Sequence, residues 1–288
     1  MKRFAIVTAS NEKYGDFLAD HWYASLIDSV DLKDIDVVVL DYGLSNEQIA
    51  RMPNAKFVKC KEDGHVVNLR FRDLLKVLDM GYEQIMSTDG GDIIFQDDVS
   101  DVFTISPDAL RAVVESHGSI RYDRMMIAKF KPEHRESIMA LIDDKELINA
   151  GVIVGPNEKL RRVCQGFIEM IEDMGSFGPD TVGINYHFYK EGFVPLDHTY
   201  NFLLVNYWGE GVRIKDGKIY NRKTGELIKV VHNAGAVSYL RPIIGFGYKS
   251  KDMRLNITYY IMRPITKIAN RLLRLIPRKL LFLSRKRV

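Results

Sequence analysis

The stretch IMSTDGGDIIFQDD, residues 85–98, decides the fold of this chain, because two apolar runs flank the sequence Asp89-Gly90-Gly91-Asp92. A strand that stops here places acidic oxygens at the edge of a sheet, and the two glycines permit a sharp bend and close approach of a ligand. Hard divalent cations prefer carboxylate oxygens and often share them with phosphate groups. The stretch therefore predicts a metal site at a strand end, with a surface Asp-Gly turn between two strands as the alternative.

Alternating strands and helices lead up to this stretch. The patterns predict strands over residues 4–7, 36–41 and 56–58, and helices over residues 17–30, 46–52 and 66–80. This alternation indicates an α/β fold with a mainly parallel sheet flanked by helices. Small polar residues follow the first strand, where open α/β sheets hold nucleotides, although no G-x-G-x-x-G fingerprint accompanies them. They are Thr8, Ala9, Ser10, Asn11 and, shortly after, Tyr14.

The second half of the chain mixes several patterns. A Ser-Pro-Asp sequence at residues 106–108 predicts a helix over residues 109–116. A buried strand is expected over residues 147–155, between helices over residues 133–143 and 159–174, and another helix opens near residue 178. After residue 211 the pattern becomes antiparallel, with turns at Asp216-Gly217 and Thr224-Gly225. A strand then ends at His232 beside small residues, which makes this histidine a better candidate ligand than most.

Length and composition indicate one large α/β domain with an appendage. The 288 residues are 27% charged and 46% hydrophobic, which are ordinary globular levels. The two cysteines, Cys60 and Cys164, are not spaced as a metal-ligand pair, and a reducing compartment fits them. The N-terminus predicts a first strand rather than a signal peptide, and no apolar run is long enough to span a bilayer.

Charge is unevenly placed along the chain. Residues 251–288 hold eleven Lys or Arg and one acid, Asp252, a net +10 that leaves −7 for residues 1–250 of a chain at +3. An acidic body and the absence of nucleic-acid motifs argue against a nucleic-acid partner. Interleaved apolar and basic residues in the tail are typical of an amphipathic helix on an anionic membrane surface. The alternatives are docking on the domain and an oligomer contact. The expected division is a domain over residues 1–250 and a basic tail over residues 251–288.

Four stretches, in this order, resemble those of the GT-A-fold glycosyltransferases, most closely family 8, whose members are retaining enzymes that use UDP-sugars. They are Thr8-Ala9-Ser10-Asn11, Asp89-Gly90-Gly91-Asp92-Ile93, Ile148-Asn149-Ala150-Gly151-Val152 and Val231-His232-Asn233-Ala234-Gly235. Residues 179–185 and Tyr200-Asn201-Phe202 fit the same order. The resemblance runs from about Met1 to Gly247. It implies a GT-A fold, with a Rossmann-like, mainly parallel sheet and a small antiparallel hairpin region.

The resemblance also implies an activity, namely metal-dependent transfer of a hexose from a UDP-sugar to a glycan or lipid-linked acceptor with retention of configuration. Mn²⁺ or Mg²⁺ would be bound by Asp92 and His232, and by Asp89 if the glycines bend the chain. The residues implied beside the nucleotide-sugar are Thr8, Ala9, Ser10, Asn11, Tyr14, Arg70 or Arg72, Asp89, Gly90, Gly91 and Gly235. The residues implied at the transferred sugar, as catalytic positions, are Asn149, Asp180 and Thr181.

The sequence departs from the family pattern at three positions. Gly90 stands where the first aspartate of the D-x-D sequence is expected, Thr181 replaces a glutamine, and Leu147 stands where an acidic residue often occurs. These departures leave open an inverting GT-A transferase and a non-catalytic, membrane-associated protein with the same fold. The expected location is the cytoplasm, peripheral at the inner face of a bacterial membrane, where lipid-linked or lipopolysaccharide-type acceptors are found.

Overall fold

The computed structural model of the chain describes residues 2–119, 124–143, 145–206, 211–235, 241–262 and 268. Its described strands are β1 (Phe4–Ser10), β2 (Ile35–Asp41), β3 (Ala55–Lys59), β4 (Gln84–Asp89), β5 (Ile93–Phe95), β6 (Leu110–Ser119), β7 (Glu146–Pro156), β8 (Phe193–Pro195), β9 (Phe202–Leu203), β10 (Val212–Lys215), β11 (Lys218–Asn221), β12 (Val230–His232), β13 (Ile243–Ile244) and β14 (Arg254–Leu255). Its α-helices are α1 (Glu12–Phe17), α2 (Ala24–Ser29), α3 (Asn46–Ala50), α4 (Val66–Leu78), α5 (Arg124–Ile127), α6 (Pro132–Ile142), α7 (Asn157–Met170) and α8 (Pro179–Glu191). A π-helical segment, Leu18–Tyr23, joins α1 to α2, and 3₁₀ turns lie at Ser100–Phe103, His198–Tyr200 and Leu204–Asn206.

A seven-stranded sheet in the order β3-β2-β1-β4-β7-β6-β8 forms the centre of the molecule. β1 pairs in parallel with β2 and β4, β2 with β3, and β6 with β8, whereas β7 runs antiparallel to both β4 and β6. Six strands therefore point one way and one is reversed. The predicted α/β class, with a mainly parallel sheet flanked by helices, is confirmed.

Alternating side chains place a core on each face of the sheet. Along β1, Ala5 and Val7 pack into the cluster that holds Leu69 and Leu74 of α4, while Ile6 packs with Trp22 on the other face. Successive residues of a strand point to opposite faces, so this apolar run serves both cores. Cys164 is fully buried in the first cluster.

The helix predicted over residues 109–116 is wrong, because Leu110–Ser119 forms β6. The Ser-Pro-Asp sequence makes a turn instead of a helix start: Ser106 has a φ of 43°, and the Ala109 N–H donates to its carbonyl at 2.9 Å. Ala112 and Val113 then pack into the opposite cores, which is the alternation of a strand. Pairing with β7 and β8 outweighs the local helix signal.

A small sheet, β5-β12-β9, brings a distant strand to the end of β4. β12 pairs antiparallel with β5, so that His232 lies opposite Ile93, the residue after Asp92. The Asn233 N–H also donates to the Asp92 carbonyl at 2.9 Å. This register positions the histidine beside the acidic bend of the chain.

The predicted antiparallel region is confirmed as a hairpin. β10 and β11 pair antiparallel around Asp216 and Gly217, whose φ values of 51° and 70° suit a two-residue hairpin turn. Gly225 also has a positive φ, 77°, at the second predicted turn.

Little of the predicted basic tail lies among the described residues. Within it, β14 pairs antiparallel with β13, and the Tyr259 hydroxyl donates to the Val205 carbonyl at 3.1 Å. The rest, 263–267 and 269–288, lies outside the described residues, and the boundary at residue 250 stays a prediction. Among the described residues, no helix combines the length and apolar character that crossing a membrane requires.

Candidate functional site

The acidic bend lies between β4 and β5, at the carboxyl end of the sheet. Asp89 is the last residue of β4, Asp92 precedes β5, and Gly90 packs so tightly that an added Cβ would lie 2.6 Å from Thr8 Oγ1. Residues three apart on a straight strand point to opposite faces, but the Gly90-Gly91 bend brings both carboxylates together. One ligand atom from each of Asp89, Asp92 and His232 lies within 4.8 Å of the other two.

The two carboxylates are shared between the histidine and two arginines. His232 Nε2 lies 3.5 Å from Asp89 Oδ2 and 3.3 Å from Asp92 Oδ1. The other oxygen of each acid faces away from His232. Asp89 Oδ1 pairs with Arg70 Nη1, and Asp92 Oδ2 lies 3.3 Å from Arg241 Nη2. Each acid therefore turns one oxygen toward the centre of the cluster and one toward a guanidinium group.

Mutual attraction sets the protonation of the pair formed by Asp92 and the buried His232. Burial alone would raise the pKa of Asp92, but His232 and Arg241 outweigh it and hold that pKa below its usual value. Burial alone would lower the pKa of His232, but Asp92 and Asp89 raise it above the ordinary value. The carboxylate is thus kept ionised, and positive charge is favoured at the histidine position.

Asp180 adds a third carboxylate from the first turn of α8. Its Oδ2 lies 3.5 Å from Arg70 Nη2, which also donates to the Ala150 carbonyl at 3.0 Å. Burial raises the pKa of Asp180 to about 6; the guanidinium of Arg70 opposes this increase, and the charge of Asp89 adds to it. Arg70 thereby links the first turn of α8 to the acidic bend.

A polar layer lies behind the cluster. The Asn149 amide donates to Glu115 Oε1 at 3.0 Å and accepts from the Gly151 N–H at 2.9 Å. Asn201 Nδ2 donates to Asn149 Oδ1 at 3.0 Å, and Asn201 Oδ1 lies 3.0 Å from His232 Nδ1. Three strands and one turn are therefore joined by side-chain hydrogen bonds.

The cluster fits a divalent cation. Carboxylate oxygens are suitable ligands for Mn²⁺ or Mg²⁺, and the added imidazole nitrogen suits a transition-metal ion such as Mn²⁺ better than Mg²⁺. The second nitrogen of the histidine has its own partner, as metal-binding histidines usually do. Gly151 keeps the adjacent space open, because an added Cβ would lie 2.4 Å from His232 Cε1 and 2.8 Å from Asp89 Oδ2. Bound there, a cation would supply Lewis-acid stabilisation to an anionic oxygen of a ligand.

Several residues predicted beside the nucleotide-sugar border this cluster. Ala9 is the register partner of Asp89, and Thr8 donates to the Thr88 carbonyl at 3.0 Å. Gly91 lies against Tyr14, whose ring is 3.3 Å from the position of an added Cβ. The Gly235 carbonyl accepts from Arg241 Nε at 3.3 Å.

Other predicted residues have partners outside the cluster. Asn11 donates to Glu62 at 2.9 Å, and the Ser10 hydroxyl donates to the Asn11 carbonyl at 3.2 Å. Of the two candidate arginines, Arg70 reaches the acids, whereas Arg72 pairs with Asp63 and Asp73. The structure thus separates two residues between which the sequence could not choose.

Thr181, the third residue predicted at the transferred sugar, lies next to Asp180 in the first turn of α8. Its carbonyl accepts from Asn185 Nδ2 at 2.7 Å, and Asn185 also bonds both backbone groups of Ile148, with its oxygen 2.7 Å from the amide nitrogen. Asn185 therefore joins the start of α8 to β7, just before Asn149.

Sequence reasoning missed three residues of this site. Asn201 stood in a stretch of resemblance, Tyr200-Asn201-Phe202, but was given no role. Glu115 fell within the segment wrongly predicted as a helix, and Arg241 carried no pattern that set it apart from other basic residues. Each reaches the cluster through a pairing distant in sequence, so no local signal could have identified the contact.

The sheet order indicates a GT-A type of architecture, and solved structures share this fold. The galactosyltransferase LgtC, solved with donor and acceptor sugar analogues, matches with a TM-score of 0.53 at 16% identity, over 96% of this chain and 98% of LgtC. GlyE of Streptococcus pneumoniae, a glycosyltransferase, matches with a TM-score of 0.52 at 14% identity, over 98% of this chain and 62% of GlyE. The bifunctional glycosyltransferase WbbM matches with a TM-score of 0.52 at 15% identity, over 83% of this chain and 47% of WbbM.

These likenesses confirm the predicted GT-A fold and its resemblance to family 8. No protein-family model matches the sequence, and no curated protein matches it. The chain is thus similar in fold, at low identity, to glycosyltransferases.

Proposed function

We propose that this protein is a metal-dependent glycosyltransferase that moves a hexose from a UDP-sugar to a glycan or lipid-linked acceptor. The observation that carries the proposal is the convergence of Asp89, Asp92 and His232 at the carboxyl end of the sheet. This edge is where open α/β folds bind nucleotides. The fold shared with glycosyltransferases supports the same activity.

Each residue of the cluster has a distinct part in this proposal. Asp89, Asp92 and His232 would hold the cation, which would supply Lewis-acid stabilisation to the diphosphate of the donor and to the departing UDP. Thr8, Ala9 and Tyr14, with Gly90 and Gly91, line the path of the nucleotide. Asn149, Asp180 and Thr181, with Arg70, face the transferred sugar. A raised pKa lets Asp180 act as either partner in a hydrogen bond to a sugar hydroxyl near neutral pH.

Retention of anomeric configuration is part of the proposal because the chain resembles family 8. An inverting transferase would need a carboxylate base directed at the acceptor. Asp89 and Asp92 serve the cation, and Asp180 pairs with Arg70. Determining the anomeric configuration of the product by NMR distinguishes the two outcomes.

A non-catalytic nucleotide-sugar-binding protein is the second candidate. Two observations favour it: Arg70 and Arg241 already pair with the acids, and Thr181 is shorter than the glutamine expected there. Hydrolysis of the donor in the absence of acceptor separates the candidates, since a binding protein would leave the UDP-sugar intact.

Calorimetric binding of UDP and a panel of UDP-sugars, with Mn²⁺ and with EDTA, tests the main proposal. We expect binding that requires the metal and is tightest for one sugar. Folded protein that binds none of these ligands would overturn the proposed site.

The acceptor side of the proposal includes a membrane surface. Ile257, Ile261 and Ile268 are 73%, 64% and 61% exposed, in a segment whose net charge is +10 over residues 251–288. Anionic lipid attracts such a segment by about 1 kcal/mol per basic residue near the surface. Such attachment would place the protein at the inner face of a bacterial membrane, as the sequence led us to expect.

Vesicle sedimentation with the full chain and with a chain ending at residue 250 tests the membrane part. We expect the full chain to bind vesicles containing anionic lipid and to be released by salt. Equal binding by the two chains would mean that residues 1–250 bind the vesicles and that the tail does not. Because β14 pairs with β13, the shortened chain needs a control for folding.

A further inference from the structure

We infer that Asn201 is a positioning residue, which holds the His232 ring with its hydrogen on Nδ1 and so leaves Nε2 free to bind a cation. This inference rests on the proposed function only in taking the acidic cluster as a cation site. Asn201 does not itself face the two acids; it lies behind the ring, on the Nδ1 side.

The backbone N–H of Gly151 fixes the orientation of the nearest side-chain amide, because this group can only donate. The Gly151 backbone N–H points at Asn149 Oδ1 at 2.9 Å, and on the other side Asn149 Nδ2 lies 3.0 Å from the Glu115 carboxylate. Reversing this amide would set two donors against each other at Gly151 and two acceptors against each other at Glu115. The backbone and the carboxylate together fix the orientation of Asn149.

The orientation of Asn149 fixes that of Asn201. Asn149 Oδ1 is an acceptor, so the atom of Asn201 that lies 3.0 Å from it must be the Nδ2 donor. The oxygen of Asn201 then faces His232 Nδ1 at 3.0 Å, and this ring nitrogen must donate. Asn201 is 1% exposed, so bulk water is not positioned to replace it.

The position of this hydrogen decides which ring nitrogen is available to the metal. With the hydrogen held on Nδ1, any proton that His232 loses leaves from Nε2, the atom 3.3 Å from Asp92 and 3.5 Å from Asp89. Without Asn201, a neutral ring could keep its hydrogen on Nε2, pointed at the two carboxylates, and this form cannot bind a cation through Nε2. Loss of such outer partners typically lowers metal affinity about 10–100-fold.

The experiment compares three variants of the full chain. Asn201→Leu removes both hydrogen bonds, whereas Asn201→Asp keeps an oxygen toward Nδ1 but turns its second oxygen to the Asn149 oxygen, so its tautomer rather than its affinity is compared. Asn157→Leu is the matched control, because the Asn157 amide donates to the Leu78 and Tyr82 carbonyls and accepts from Arg161, all outside the cluster. Mn²⁺ alone is titrated by calorimetry, and long-range ¹H–¹⁵N spectra of the metal-free proteins at alkaline pH report the His232 tautomer.

We expect the Nδ1–H tautomer in the wild-type protein, in Asn201→Asp and in Asn157→Leu, with the Nε2–H form appearing in Asn201→Leu. Mn²⁺ affinity should fall about 10–100-fold in Asn201→Leu and stay unchanged in Asn157→Leu. The inference is overturned if Asn201→Leu keeps both tautomer and affinity, if Asn201→Asp shows the Nε2–H form, or if Asn157→Leu loses as much affinity as Asn201→Leu. Failure of the wild-type protein to bind Mn²⁺ would instead refute the proposed function, and the tautomer would still decide the role of Asn201.

Discussion

The two halves of the central sheet differ in regularity. In β3-β2-β1-β4 all strands are parallel and their registers run without a shift, whereas the β6–β7 pairing shifts register on either side of Val114. Glu115, which accepts from Asn149, lies in the irregular part. Bulges bend a strand and redirect its side chains, and they are frequent near active sites. The regular half thus carries Asp89 at the end of β4, while the irregular half places Glu115 and Asn149 behind the cluster.

Asp92→Ala changes the bend that follows β4, the last strand of the regular half, and should have the largest effect. Asp92 is the acid that both His232 and Arg241 contact, so its loss removes a cation ligand and leaves two positive groups unbalanced. Metal-dependent nucleotide binding should fall by more than the ~100-fold seen on losing outer partners of a metal. Calorimetry with Mn²⁺ measures this.

Asp97→Ala is the control for Asp92→Ala, because Asp97 is exposed and lies five residues later on the same stretch. Its nucleotide binding should match the wild-type protein. Wild-type binding by Asp92→Ala would refute the metal assignment.

Arg111→Met tests whether the stability of the irregular half depends on one buried charge. Arg111 is fully buried in β6 and donates to the carbonyls of Val102, Ile105 and Ala109 and to Gln84 of β4. Burial lowers its pKa to about 10. Methionine would leave these acceptors without a donor and cost about 3 kcal/mol of unfolding free energy.

Urea denaturation measures the effect of Arg111→Met, with Arg213→Met, on an exposed position of β10, as control. A loss equal in the two variants would mean that Arg111 does not hold β6 to β4. A larger loss in Arg111→Met is the expected result.

Gly151→Ala tests, within β7, whether the part of the strand next to the cluster must stay free of a side chain. An added Cβ would lie 2.4 Å from His232 Cε1 and 2.7 Å from Asn149 Oδ1, so the ring and the amide must move. Mn²⁺ affinity should fall about 10-fold, the lower range for a disturbed outer partner, with no change in charge.

Gly155→Ala is the matched control for Gly151→Ala on β7. Its added Cβ would meet Leu110 Cδ2 at 2.7 Å and Leu160 Cγ at 3.2 Å, which are apolar side chains of the core. It should lower stability and leave Mn²⁺ affinity unchanged. Equal affinity losses in the two variants would indicate a general distortion of the strand rather than a local one.

The sequence predicted the regular half more completely than the irregular one, for a physical reason. Apolar runs such as residues 36–41 report burial on both faces, and strand–helix alternation then leads to parallel pairing. The acidic stretch at residues 89–92 and His232 were also identifiable, because their residue types and small neighbours are visible locally. Whether Asp89 could join Asp92 depended on the Gly90-Gly91 bend, which the sequence permits but does not require.

The contacts that complete the cluster come from pairings distant along the chain. The Ser-Pro-Asp turn before β6 has the composition of a helix start, and only pairing with β7 and β8 makes the following residues a strand. The choice between Arg70 and Arg72 depends on the rotation of α4 against the sheet. Asn201 reaches His232 through β9 and β12, which are parallel neighbours. Such contacts follow from topology, which local patterns do not encode.

The pH dependence of stability due to His187 is the smallest effect that we expect. His187 lies on α8, the helix that carries Asp180, but away from the cluster. Its ring packs against Gly166 of α7, where an added Cβ would lie 2.2 Å from Cε1. Burial lowers its pKa to about 4, and the nearby charges of Lys190 and His134 act in the same direction, whereas Glu191 opposes them. The native state therefore keeps this histidine neutral under conditions in which the unfolded chain binds a proton.

The sign of the pH dependence follows from that difference. Between pH 6.5 and 4 the unfolded state binds more protons at this position, so its contribution to stability is complete above pH 6.5 and is lost as the pH falls. From pH 7 to 5.5 the loss due to His187 should be about 1 kcal/mol of unfolding free energy. His187→Gln, which cannot titrate, should flatten the wild-type curve by that amount in urea denaturation, whatever its stability at pH 7. Parallel curves for the two proteins would mean that His187 titrates alike in the folded and unfolded chains, and that the packing of α8 on α7 does not exclude its charged form.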